Sequence, residues 1–201
     1  VYLEHEGQIV QVEYLNESVY TNVSISKSGY TQVVPGQEIR YTFKDIGNNS
    51  TVPLDSFYWR DTLPTDAVRL DKIITGTYSA RLNYKVVFQT NLNDTQRVLA
   101  DNLNTQKNYT LDASPAALGL ASNEYVTQVT FLFGRVPGGF KQVETPYIYC
   151  DVLSSLSHEY RFANKCDVGG MWQNQWVQAT DRWVTIIYRG GPVPTLPRTG
   201  Y

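Results

Sequence analysis

Three polar side chains sit where strand alternation puts apolar ones. Lys27 follows Val23 and Ile25 at every second position, Asp61 follows Phe57 and Trp59, and Asn164 follows Tyr160 and Phe162. Residues i, i+2 and i+4 of a strand line one face, so all three are expected to point inward. A buried amine, carboxyl and carboxamide each need a polar partner, the amine most of all. An apolar pocket also favours the uncharged forms, which gives a nucleophilic amine beside an acid able to donate a proton. The competing reading has Lys27 snorkelling to solvent or pairing ionically with Asp61, while Asn164 satisfies a turn.

Other reactive side chains form weaker patterns. Cys150 shares parity with Ile148 and Val152, and Cys166 with Phe162 and Asn164. Both read as inward on adjacent strands joined through residues 154–158, either as a disulfide of an exported chain or as two buried free thiols. With His5 and His158 they build neither a zinc pattern nor a Cys–His nucleophile pair. The aspartates are scattered, without a calcium-loop pattern, and nothing selects a glycosidase pair among them. Ser114 and Ser157 lack a nucleophile-elbow context, and His158 beside Glu159 reads as a solvated loop pair. No metal, cofactor or enzymatic activity is expected. Trp172 and Trp176 flank Gln173-Asn174-Gln175, a composition suited to sugar or peptide contact. After Gly169-Gly170 the same segment reads as a hairpin with its Trp rings in the core, and that reading is preferred.

The elements that must position these residues are strands. The chain has 201 residues, enough for one large domain with short flanks and a sizeable core. Its 17 basic and 19 acidic residues nearly balance and do not cluster, which argues against nucleic acid. Alternation recurs at Ile39, Tyr41 and Phe43, at Leu82, Tyr84, Val86 and Phe88, and at Tyr125, Val129, Phe131 and Phe133. Residues 183–188 read as a buried final strand. Turn chemistry lies at Pro35-Gly36, at 47–50, at 91–94, at Pro137-Gly138-Gly139 and at Gly169-Gly170. One short helix is expected over residues 114–121, capped by Ser114, with Pro115 at its first position and Gly119 limiting it. The sum is an all-β, antiparallel β-sandwich with a long insertion and one short helix. Sequons at Asn22, Asn93 and Asn108 are read as solvated turn and strand residues.

Three segments are expected: residues 1–20, holding one alternating strand from Ile9 to Leu15 that opens this domain or ends a preceding one; residues 21–189, the sandwich; and residues 190–201, a spacer. Prolines 192 and 194 favour an extended polyproline II spacer. It ends in Leu196-Pro197-Arg198-Thr199-Gly200, which resembles the sorting pentapeptide of Gram-positive surface proteins. The resemblance implies that a sortase cuts after Thr199 and joins it to an amine of peptidoglycan or of a pilus subunit. It also implies an extracellular, cell-wall location, with membrane contact only through a C-terminal anchor that is removed. No apolar run approaches the about 18 residues that cross a bilayer, so the chain reads as a trimmed soluble piece of a longer precursor.

The segment Val34-Pro35-Gly36-Gln37-Glu38-Ile39-Arg40-Tyr41-Thr42-Phe43, followed by Asp61-Thr62-Leu63-Pro64, resembles the conserved repeat domain of bacterial cell-surface proteins over roughly residues 23–188. At Asn164-Lys165-Cys166 the chain departs from that family's usual Asn-Thr-Ala strand. The resemblance implies an immunoglobulin-like sandwich of the collagen-adhesin type. It also implies a use for the three inward polar residues: Lys27 attacks the Asn164 carboxamide with help from Asp61, ammonia leaves, and an isopeptide crosslink remains. The function so implied is a non-enzymatic, wall-anchored stalk or pilin-like module. The alternative is an adhesin domain for a host protein or glycan, using Trp172 and Trp176.

Overall fold

Alternating faces need a second layer to cover the apolar one, and here two sheets supply it. The computed structural model describes residues 18–190, together with the backbone of β1 (Tyr2–His5) and β2 (Gln8–Gln11), which pair as an antiparallel hairpin. The expected strand from Ile9 to Leu15 falls partly in β2 and partly outside the described residues. Residues 191–201, with the whole sorting motif, also lie outside them.

The sandwich runs through β3 (Val23–Ser28), β4 (Gln32–Val33), β5 (Glu38–Asn48), β6 (Leu54–Thr62), β7 (Val68–Ile74), β8 (Asn83–Thr90), β9 (Asn93–Asn104), β10 (Thr110–Asp112), β11 (Val126–Val136), β12 (Tyr147–Val152), β13 (Arg161–Trp172) and β14 (Gln175–Ile187). One sheet has five strands in the order β10-β7-β12-β5-β3. The other has seven, in the order β4-β14-β13-β6-β11-β8-β9. All pairings are antiparallel except the short parallel contact of β4 with β14. The middle of the chain contributes β7 and β10 to one sheet and β8 and β9 to the other.

Between the sheets lies an aromatic core. Ile39, Tyr41 and Phe43 of β5 all point into it, as the alternation requires. Trp59 stacks on Phe131 at 4.0 Å and leans on Phe43 at 4.8 Å. Its indole N–H donates to the Tyr78 hydroxyl, which in turn donates to the Thr75 carbonyl, so a large buried ring keeps its polar handle satisfied.

The structure corrects three expectations. Residues 114–121 form no helix. The Ser114 hydroxyl accepts from the Ala117 amide as a cap should, but Gly119 turns left-handed (φ 63°) after a single turn, before propagation can offset nucleation. Gly169 and Gly170 are not a turn. They lie within β13, where an added Cβ would stand 2.9 Å from the Tyr58 ring and 2.8 Å from Leu54 Cβ, so the glycines let neighbouring side chains approach the strand. The final strand is far longer than residues 183–188, because its outer face is polar and carries little apolar signal. No helix among the described residues is long and apolar enough to cross a membrane.

Candidate functional site

Lys27, Asp61 and Asn164 come from three strands and meet in the core. Lys27 projects from β3, the edge of the five-stranded sheet. Asp61 and Asn164 project from β6 and β13, which are neighbours in the facing sheet. The cross-strand register sets Cys166 opposite Asp61, so Asn164, two residues away on the same face, sits diagonal to the carboxyl. The Lys27 backbone N–H donates to the Asp181 carboxylate of β14 at 2.7 Å and ties β3 against the other sheet along the side where the site lies.

The geometry is close. Lys27 Nζ lies 2.7 Å from Asp61 Oδ1, and both side chains are 0% exposed. Asn164 Nδ2 donates to the other oxygen, Oδ2, at 3.3 Å. Lys27 Nζ also lies 4.5 Å from the centre of the Tyr41 ring and 4.0 Å from that of Phe43, so two aromatic faces border it. Burial pushes the Asp61 carboxyl above its ordinary range, while the Lys27 amine and the Asn164 amide pull it only part of the way back. One carboxyl thus touches both the Lys27 amine and the Asn164 amide nitrogen, placed to pass a proton between them.

The cysteines lie differently from the expectation of adjacent strands. β12 pairs with β5 and β7, whereas β13 pairs with β6 and β14, so Cys150 and Cys166 belong to opposite sheets. Both are buried free thiols. Burial raises Cys150 well above its ordinary value and pushes Cys166 up to about 12, which leaves neither a ready nucleophile at neutral pH.

The two candidate Trp residues separate. A two-residue turn with positive φ at Gln173 and Asn174 joins β13 to β14 and pairs Trp172 with Gln175 and Met171 with Trp176. Trp172 and Trp176 therefore face opposite sides of the hairpin. Trp172 is half-buried against the core margin, but Trp176 is 51% exposed and stands edge-on to Tyr58, contrary to the preferred core placement. Tyr58 belongs to a polar network that sequence reading missed. Its hydroxyl donates to Asp167 and accepts from Gln178, and Arg60 grips Asp167 through two bonds of 2.8 and 2.7 Å. Only the β6–β13–β14 register reveals it. Among the described residues no group of His, Cys, Asp and Glu could hold a metal ion.

No protein-family profile matches the chain, and no curated protein matches it. Solved structures do. The collagen-binding domain of a Staphylococcus aureus adhesin is 10% identical with a TM-score of 0.35, over 85% of this chain and 99% of that one. The collagen-binding subdomain of the Enterococcus faecalis surface protein ACE is 11% identical with a TM-score of 0.34, over 82% and 96%. AvmM, which catalyses macrocyclisation in alchivemycin A biosynthesis, is 9% identical with a TM-score of 0.33, over 96% and 98%. These likenesses join binding domains to an enzyme at low scores, and they carry no argument about what this chain does.

Proposed function

We propose that the chain is a load-bearing extracellular module whose sandwich is locked by an amide between Lys27 Nζ and Asn164 Cγ. In this reading it is held to the cell wall, or to a pilus subunit, by sortase transfer at Thr199. The observation that supports the lock is a buried Lys–Asp pair whose carboxyl also touches the nitrogen of a buried Asn. Asp61 Oδ1 takes a proton from Lys27, and the free amine adds to Asn164 Cγ. The bond from Cγ to Nδ2 then breaks as Asp61 Oδ2 hands a proton to the departing nitrogen, and Oδ1 takes the second proton from the newly bonded Lys27 Nζ, so the carboxyl ends protonated. One N–C bond forms, one breaks, and one ammonia is lost.

The test is intact mass under denaturing conditions. The wild-type chain should fall short of its sequence mass by one ammonia and yield a joined peptide on digestion, whereas Asp61→Ala should show the full mass. A folded wild-type chain at full mass overturns the reading.

A ligand-binding role for the outer sheet face is the second reading, favoured by the exposed Trp176 beside Tyr58 and Gln178. Trp176→Ala should then abolish binding to a glycan or host-protein array without loss of stability. An array on which the wild type binds nothing counts against it.

A further inference from the structure

Among the described residues three buried side-chain polar atoms lack a hydrogen-bond partner, and two of them share the Lys27 site: the Tyr41 hydroxyl and Asn164 Oδ1. One is a donor and the other an acceptor. Such orphans are rare in folded proteins, and a complementary pair in one pocket calls for a joint explanation. The Tyr41 ring lies 4.5 Å from Lys27 Nζ and Asn164 touches the carboxyl that holds that amine, so both orphans border the reacting atoms, with Thr185 beside the phenol. Thr185 has already spent its hydroxyl hydrogen on the Tyr30 carbonyl, at 2.8 Å.

We propose that Tyr41 is the oxyanion donor of the crosslinking reaction: its hydroxyl closes on Asn164 Oδ1 as the Lys27 amine adds to Cγ. The inference rests on the crosslink reading above. Asp61 already occupies the other two reacting atoms, with Oδ1 on the nucleophilic nitrogen and Oδ2 on the leaving one. That leaves the carbonyl oxygen, where negative charge gathers, without help from the carboxyl. A donor left unsatisfied in the starting amide gains most when that oxygen becomes an alkoxide, and this is the differential binding that accelerates a reaction. Hydrogen bonds of this kind are often long before reaction and tighten during it. Burial keeps the phenol protonated, its value raised well above the ordinary one, so the donor is present at every physiological pH. The ring does separate work, standing 4.5 Å from Lys27 Nζ as part of the aromatic wall.

Tyr41→Phe keeps the wall and removes the donor. The chain is made by pulsed cell-free synthesis, and loss of ammonia is followed by mass against time. Removing an oxyanion donor should slow the reaction by about 10²-fold. Thr185→Val should crosslink at the wild-type rate. Incorporation of 3-fluorotyrosine at position 41 leaves packing nearly unchanged and strengthens the donor, so the rates should rise in the order Phe, Tyr, fluorotyrosine. A purely structural role for the ring predicts no such grading. If the wild type crosslinks and Tyr41→Phe keeps pace with it, or the graded series is flat, the Tyr41 role falls and the crosslink stands. If the wild type never loses ammonia, both fall.

Discussion

Lys27 and Asp61 illustrate how a single contact couples chemistry to stability. Asp61 has its charge compensated only by Lys27 and one amide, in a core of aromatic rings. In an Asn164→Ala background, where no crosslink forms, Lys27→Met removes the partner amine and leaves the carboxyl alone, a loss of about 3–5 kcal/mol at neutral pH for a buried pair broken on one side. The direction of its pH dependence follows from the raised folded value. Above the ordinary 3.8, an unfolded Asp61 releases a proton that the folded chain retains. Stability is therefore fully present in acid and lost as pH rises from 3.8 through the folded value. Thermal melts of Lys27→Met across acid to neutral pH should show the melting temperature falling upward through that window, and a rising or flat profile would refute the dominance of burial. These three polar residues were legible in the sequence because each sits mid-strand among apolar neighbours of the same parity. Tyr41 was not, because its parity marks it only as core, and its unpaired hydroxyl exists only once β5 faces β13. The cysteines were misjudged for a related reason: closeness along the chain does not make β12 and β13 sheet neighbours.

At the scale of elements, alternation identified the inner faces of β5, β8 and β11, and turn chemistry found Pro35-Gly36 and Pro137-Gly138-Gly139. It failed where a glycine serves packing instead of a turn. Gly169 and Gly170 share a glycine's two uses, and only the facing residues distinguish them. Gly170 lies under Leu54, whose Cβ would stand 2.8 Å and Cδ1 3.1 Å from a new methyl, and Leu54 is itself fully buried. Gly170→Ala, on the strand that carries Asn164, must therefore displace the packed Leu54 side chain of the neighbouring β6. Overpacking of this kind costs about 1–3 kcal/mol. Urea unfolding in an Asn164→Ala background, where no crosslink obscures the equilibrium, should show that loss as a lower midpoint at unchanged slope. An unchanged midpoint would mean that β6 and β13 can part without cost. The missing helix has the same lesson in a different form: Ser114 and Pro115 start a turn correctly, but Gly119 stops it before a second turn can form.

For the whole molecule, the position of the proposed bond matters more than its strength. β3 is the first strand of the sandwich, and β13 holds β14, the last, along their full paired length. A Lys27–Asn164 amide would thus join the two ends of the domain, so that tension entering near the N-terminal side passes to the C-terminal side without crossing the sheets. Thr199 would be the natural exit for that tension. An intact chain carrying such a tail should form a Thr199-linked product with an oligoglycine amine and a housekeeping-type sortase, and Thr199→Ala should not. Closing a loop of 137 residue-to-residue steps (164 − 27) removes unfolded-chain entropy equivalent to about 5 kcal/mol by the loop-closure relation. The mechanical consequence is larger and easier to read. Pulled from its termini, the locked chain can release only the residues outside the loop, because the covalent bond withholds the rest. Asn164→Ala frees them, and 137 such steps at 3.3–3.6 Å each add about 450–490 Å of contour length. Single-molecule force spectroscopy should therefore record a long unfolding step in Asn164→Ala and in Asp61→Ala that the wild type lacks. Equal steps in all three would show that the sandwich bears load through hydrogen bonds and packing alone, with Lys27 and Asp61 serving as no more than a buried ion pair.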